Sequence, residues 1–152
     1  MDCARGGNPH IRLPKIKIKV EVTAIRDASG AICYSHKING QNKGGKIDLA
    51  KDSGPYKLVF DLDDDTGLGL RFDASAPFYC DVSRGDGCPA SIDREQIMVD
   101  SCNDDELIVI DWNYGERKEL HYQLNVMDEF GERQTPYDPV IVNGGGTKTF
   151  NS

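Results

Sequence analysis

Residues 14–25 read PKIKIKVEVTAI, and their period of two decides the fold class. Ile16, Ile18, Val20 and Val22 share one parity, while Lys15, Lys17, Lys19 and Glu21 share the other. Successive side chains of a strand point to opposite faces, so the segment reads as a strand buried on one side and wet on the other. The lysine face is expected to be solvated and to blunt pairing at a sheet edge rather than to bind a ligand.

Working outward, the same rhythm recurs in AICYSH (31–36), YKLVFDL (56–62), LGLRFD (68–73) and PFYCDV (77–82). It continues in QIMVD (96–100), ELIVIDW (106–112), ELHYQLNV (119–126) and PVIVN (139–143). Stretches such as NGQNKGG, KDSGP, SRGDGCP and NYGE separate the runs with turn residues. Short strands at roughly ten-residue intervals predict an all-β chain, a single antiparallel β-sandwich of immunoglobulin-like or jelly-roll-like kind. The sandwich is assigned to 14–143. Residues 1–13 and 144–152, rich in Gly and polar residues, are expected to be flexible tails.

A chain of 152 residues suffices for one domain with a core; such a chain buries about 70% of its unfolded surface and needs no disulfide or metal to fold. The net charge of −7, from 25 acidic and 18 basic side chains, argues against nucleic acid or an anionic membrane as partner. No apolar signal region opens the sequence, and the longest apolar run, Leu107 to Ile110, is too short to span a bilayer. The five cysteines are odd in number and none is in CxxC spacing, so the expectation is free thiols in a reducing cytoplasm. No cofactor and no small-molecule ligand is indicated.

Each candidate site has a plain structural reading beside the functional one. Asp61, Asp63 and Asp65 have calcium-loop spacing, but Thr66 stands where the turn glycine belongs and Phe72 where the bidentate Glu belongs. An acidic hairpin turn is the better reading. Arg84-Gly85-Asp86 sits in ordinary turn chemistry. There is no GxSxG elbow, and His10, His36 and His121 are scattered, so a nucleophile triad has no support.

The remaining candidate is the Asp138–Pro139 bond. With 18 aspartates and proline at about 5% of residues, about one Asp-Pro is expected by chance. Its setting says more than its occurrence. Pro139 suits the first position of a strand, and it confines Asp138 to extended conformations. Proline's nitrogen carries no hydrogen, so it cannot close a succinimide on the aspartate. The Asp138 carboxyl can instead attack its own carbonyl carbon to give a cyclic anhydride, with the proline nitrogen leaving once protonated. Near-attack geometry can contribute about 7–11 kcal/mol to such a step.

The segment LIVIDWN…KELHYQLNVMDEFGERQTPYDPVIVNGGG resembles the C-terminal part of the Asp-Pro endopeptidase (DP-EP) family of bacterial proteins. The family has a Y-x-L strand, a loop and a D-P-[IV]-I-x-N ending. Tyr122, Leu124, Asp138, Pro139, Val140, Ile141 and Asn143 match it, over roughly the last quarter of the chain. The resemblance implies a self-assembling β-sandwich that cuts its own chain, with Asp138 and Pro139 flanking the scissile bond.

An assisting carboxylate and a nearby lysine are sought by geometry. The turn Asn113–Glu116 is expected to set Asp111 opposite Lys118 across a hairpin. If residues 128–137 form a simple hairpin, Asp138 lies beside Met127 and Asp128, with Lys118 about 30 Å away. If they cross back, their span of at most about 33–36 Å brings Asp138 near Lys118 and Asp111. The length of the connection favours the crossing; Asp128 is the fallback carboxylate. The expected function is thus a self-processing Asp-Pro endopeptidase acting in cis, its only partner a further copy of itself in a homo-oligomer. The competing reading is a non-enzymatic binding or assembly module, and a calcium-binding sandwich stands third.

Overall fold

A computed structural model describes residues 16–41, 46–82, 96–137 and 140–146. Their strands are β1 (Ile16–Arg26), β2 (Ile32–Ile38), β3 (Lys46–Leu49), β4 (Tyr56–Asp64), β5 (Arg71–Phe72) and β6 (Phe78–Val82). After these come β7 (Ile97–Cys102), β8 (Glu106–Asp111), β9 (Lys118–Leu124), β10 (Val126–Met127) and β11 (Val140–Asn143). One sheet has the order β2-β1-β4-β8-β7, a second the order β3-β11-β9-β6, and β10 and β5 form a two-stranded ribbon.

The fold is all-β and sandwich-like, as the periodicity predicts. On β1, Ile18, Val20 and Val22 turn inward while Lys17 and Lys19 stay exposed. Facing residues from the two sheets close the core. The Phe60 ring on β4 lies 5.9 Å from Phe78 on β6 and 5.6 Å from Tyr122 on β9. These rings are fully buried together with Leu58, Leu107, Leu120 and Ile141.

The pairing departs from the antiparallel expectation in two places. β1 runs parallel to β4, and β3 parallel to β11. The chain reaches β4 only after placing β3 in the opposite sheet, so it returns to its first sheet in the same direction. As a result β1 is no edge strand but lies between β2 and β4. Its lysines guard no edge. Lys19 Nζ instead lies 3.4 Å from Asp61 Oδ2, a surface pair worth at most about 1 kcal/mol.

Local side-chain chemistry accounts for the shifted strand limits. The expected strand 68–73 shrinks to Arg71–Phe72 because Asp64 caps the turn before it. Its carboxylate accepts hydrogen bonds from Thr66 N at 2.9 Å and Leu70 N at 2.8 Å, so Asp64 rather than Asp61, Asp63 or Asp65 organises the acidic hairpin. The expected strand 119–126 breaks at Asn125, whose Nδ2 donates to Ala76 O at 2.7 Å and whose backbone N–H donates to Pro77 O at 2.9 Å. β3, hidden in the short alternation KIDL, buries Ile47 and Leu49.

Gly144 to Gly146, expected to begin the C-terminal tail, are instead pinned to the sandwich. Gly144 N donates to Leu49 O at 2.7 Å, and Gly146 exchanges backbone hydrogen bonds with Gly115. A Cβ on Gly145 would stand 2.4 Å from Gly115 O at a φ of +86°, a fit that only glycine permits. Residues 1–15 and 147–152 lie outside the described residues.

Truncating Phe60 to Ala removes the ring at the centre of this aromatic group and should cost about 3–5 kcal/mol of stability. Ile25→Ala, at a position 45% exposed, should change stability by no more than about 0.5 kcal/mol. Urea unfolding of both variants measures the contrast.

Candidate functional site

Asp138 and Pro139 lie outside the described residues, but the chain on both sides of them is placed. Tyr137 pairs with Leu124: Leu124 N donates to Tyr137 O at 2.7 Å, and Tyr137 N donates to Leu124 O at 3.2 Å. Val140 pairs with His121, and antiparallel pairing continues to Asn143 opposite Lys118. Three steps along one strand, from Tyr137 to Val140, match three steps back along the other, from Leu124 to His121. β9 therefore holds both flanks in one register.

This register settles how residues 128–137 return. They come back antiparallel to β9 as a long-looped hairpin, and the favoured crossing is not formed. Asp128 closes that loop. Its Oδ1 accepts from Phe130 N at 2.8 Å and Glu132 N at 3.0 Å, and its Oδ2 accepts from Gln134 Nε2 at 3.0 Å. It stands four residues past Leu124, the partner of Tyr137, or up to about 13 Å along the strand direction. Asp128 is thus a loop cap rather than a neighbour of the Tyr137 pairing.

Beside Tyr137 lies a cluster that the sequence reading passed over. The Tyr137 hydroxyl is hydrogen-bonded to His36 Nδ1, and the Tyr34 hydroxyl donates to Thr135 O. The rings of Tyr34, His36 and Tyr122 stand 5.4, 5.6 and 6.4 Å from that of Tyr137. Tyr34 and His36 project from the same face of β2 because they are two residues apart. Burial, and then the charge of Asp64, push the Tyr34 hydroxyl well above its ordinary range, so it keeps its hydrogen and its bond to Thr135 O. The signal for this cluster was present as the Y-S-H alternation of 34–36 and the tyrosine before Asp-Pro. The contacts join positions 101 residues apart, which no local pattern shows.

Asp111 and Lys118 are each neighbours of Asn143 and do not face each other across a hairpin. β8 and β9 belong to different sheets, so residues 112–117 turn a corner between them. Asp111 is fully buried at the end of β8. Its Oδ1 accepts from Asn143 Nδ2 at 2.7 Å and from Asn113 N at 3.0 Å. Lys118 opens β9 opposite Asn143. This corner lies three residues, or about 10 Å, from Val140 at the other end of β11.

A wider polar network supports the corner. Gln96 Nε2 donates to Tyr114 O at 2.8 Å, and Gln96 Oε1 accepts from Asn143 Nδ2 at 3.1 Å. Asn113, held at a φ of 51°, donates from Nδ2 to Ala50 O at 2.8 Å and accepts from Gly145 N at 3.0 Å. Asn143 Oδ1 has no hydrogen-bond partner among the described residues; such a buried acceptor costs about 1–3 kcal/mol.

No family model matches the chain, and no curated protein matches it. Among the described residues there is also no group of His, Cys, Asp or Glu able to hold a metal ion. The tripeptide Arg84-Gly85-Asp86 lies outside the described residues.

Two predictions come from these contacts. Asp111→Ala leaves the donors of Asn143 and Asn113 without their acceptor inside the sandwich, which should destabilise the fold by about 2–5 kcal/mol by chemical denaturation. The second concerns acid. The hydrogen bond from Ser75 Oγ, and then the Arg133 guanidinium at 2.6 Å, hold the Asp73 carboxyl below the usual carboxylate range. Burial pushes Asp64 up, but hydrogen bonds from Thr66 and Leu70 outweigh it and leave that carboxyl lowered as well. Depressed folded values mean a stabilisation fully present above the unfolded value of about pH 4 and lost as pH falls through the folded values. The urea midpoint should therefore drop below about pH 4, and Asp73→Asn should flatten that drop.

Proposed function

We propose that the chain hydrolyses its own Asp138–Pro139 peptide bond. The Asp138 carboxylate attacks its own carbonyl carbon, the C–N bond to Pro139 breaks as the proline nitrogen takes a proton, and water opens the resulting anhydride. The observation that carries this reading is the clamping of both flanks, Tyr137 and Val140, onto β9 in one register. Fixing the two ends of a short segment limits the conformations between them, which is the requirement for an intramolecular attack. The resemblance of the D-P-V-I-V-N ending to self-cleaving Asp-Pro endopeptidases supports the same reading.

The step needs a proton for the leaving nitrogen. His36, hydrogen-bonded to the Tyr137 hydroxyl beside the clamped flank, is the side chain assigned to supply it. Asp111 and Lys118, gathered at the far end of β11, are assigned no part in it. Among the described residues no helix is long and apolar enough to cross a membrane. A cytoplasmic setting and self-association belong to the proposal, the first on the free thiols of Cys33 and Cys102 and the second on the family resemblance.

Intact-mass measurement on fresh and aged protein, from mild acid to neutral pH, tests the reading. The expected products are 1–138 and 139–152, and Asp138→Ala should abolish them. A single unchanged full-length mass under all these conditions overturns the proposal. If that intact chain also scatters light in a concentration-dependent way, it is an assembly module instead.

A further inference from the structure

The corner at the other end of β11 holds chemistry that the cleavage step does not use. Asn143 is fully buried, and its carboxamide is oriented by two acceptors. Nδ2 donates to Asp111 Oδ1 at 2.7 Å and to Gln96 Oε1 at 3.1 Å, which leaves Oδ1 without a hydrogen-bond partner among the described residues. Asp111 comes from the facing sheet, so a carboxyl is bonded across the sandwich to the nitrogen of the amide.

Lys118 stands directly opposite Asn143 in the β9–β11 pair. Opposite residues of antiparallel strands share a face, with Cβ atoms about 4.5–5.5 Å apart. That face is the inner one, because Leu120, Tyr122 and Leu124 share the parity of Lys118 and are buried. The flexible four-carbon stem of lysine lets its amine reach the carboxamide carbon from this position. An amine, a carboxamide and a carboxyl bonded to the nitrogen that would leave are therefore brought to one water-poor corner.

We infer that Lys118 and Asn143 become joined by an intramolecular isopeptide bond, with Asp111 as the catalytic acid and base. The Lys118 ammonium passes a proton to the Asp111 carboxylate, and the freed Nζ electron pair attacks Asn143 Cγ. The Nζ–Cγ bond forms as the carbonyl π pair moves onto Oδ1. When that pair returns, the Cγ–Nδ2 bond breaks. Asp111 delivers its proton to Nδ2 and relays a second one from Nζ. In sum, an ammonium and a primary carboxamide become a secondary amide and an ammonium ion, with no oxidant and no cofactor.

The bond ties β9 to β11 and closes the loop from 118 to 143, which contains Asp138–Pro139. In a chain that carries the bond, segment 139–152 stays attached after cleavage at that site, so the separate products 1–138 and 139–152 are read in Lys118→Arg. The inference does not depend on such cleavage. Cleavage adds a water and isopeptide formation removes an ammonia, changes that nearly cancel in one linked chain, so the isopeptide bond is read in Asp138→Ala, which cannot cleave.

Denaturing intact-mass measurement on the full-length Asp138→Ala chain is the test, followed by tandem mass spectrometry of a tryptic digest. The expected result is a chain lighter than its sequence mass by one ammonia and a branched peptide joining Lys118 to Asn143. Lys118→Arg and Lys118→Met should both restore the full mass and lose the branch. A succinimide at Asn143–Gly144 expels the same ammonia without needing lysine. Ammonia loss that persists in Lys118→Arg therefore overturns the proposal. So does an Asp138→Ala chain still at its unaltered mass after prolonged warm incubation.

Discussion

A carboxyl shut away from water must be hydrogen-bonded, and Asp111 occupies the point where the chain leaves one sheet for the other. Much of the local architecture answers to that requirement. Asn143 and the backbone of Asn113 supply donors to it. Asn113 in turn reaches Ala50 and Gly145 with its side chain, so the loop after β3, the corner after β8 and the end of β11 are fastened together. Because Asn143 ends β11, the place where it is held also sets the register of that strand against β9. The positions of Val140 and Tyr137 follow from that register.

β11 thus has two chemically different ends. At one, Tyr137 lies among Tyr34, His36 and Tyr122, a group of rings with proton-bearing tips and a buried hydroxyl. At the other, an amide, a carboxyl and the start of β9 converge around Asn143. The separation explains why Asp111 and Lys118, grouped together on sequence spacing, lie away from Tyr137. Their common neighbour is Asn143, and that neighbour is set by the return path of residues 128–137.

Several elements were legible before any coordinates. The alternation of Ile18, Val20 and Val22 with Lys17 and Lys19 announced a one-sided strand, and the strand is one-sided. In ELHYQLNV the parity shared by Leu120, Tyr122 and Leu124 is likewise that of the buried face. The short strand Lys46–Leu49 was overlooked because four residues show barely two periods of alternation. The strand limits near Asp64 and Asn125 were misplaced for another reason: each of these side chains competes for backbone groups that a continued strand would have used.

Side-chain parity is a local property, so the sequence by itself determined that the chain is all-β, where most strands lie and which face of β1 is buried. It also singled out Asp138–Pro139, since the chemistry of that dipeptide is intrinsic to it. Only the tertiary structure decided strand direction and neighbours, which made β1 an interior strand parallel to β4. It alone joined His36 to Tyr137 and Asp111 to Asn143, across 101 and 32 residues of chain. Such pairings depend on how the two sheets close over a shared core, and no periodicity within a single strand carries that information.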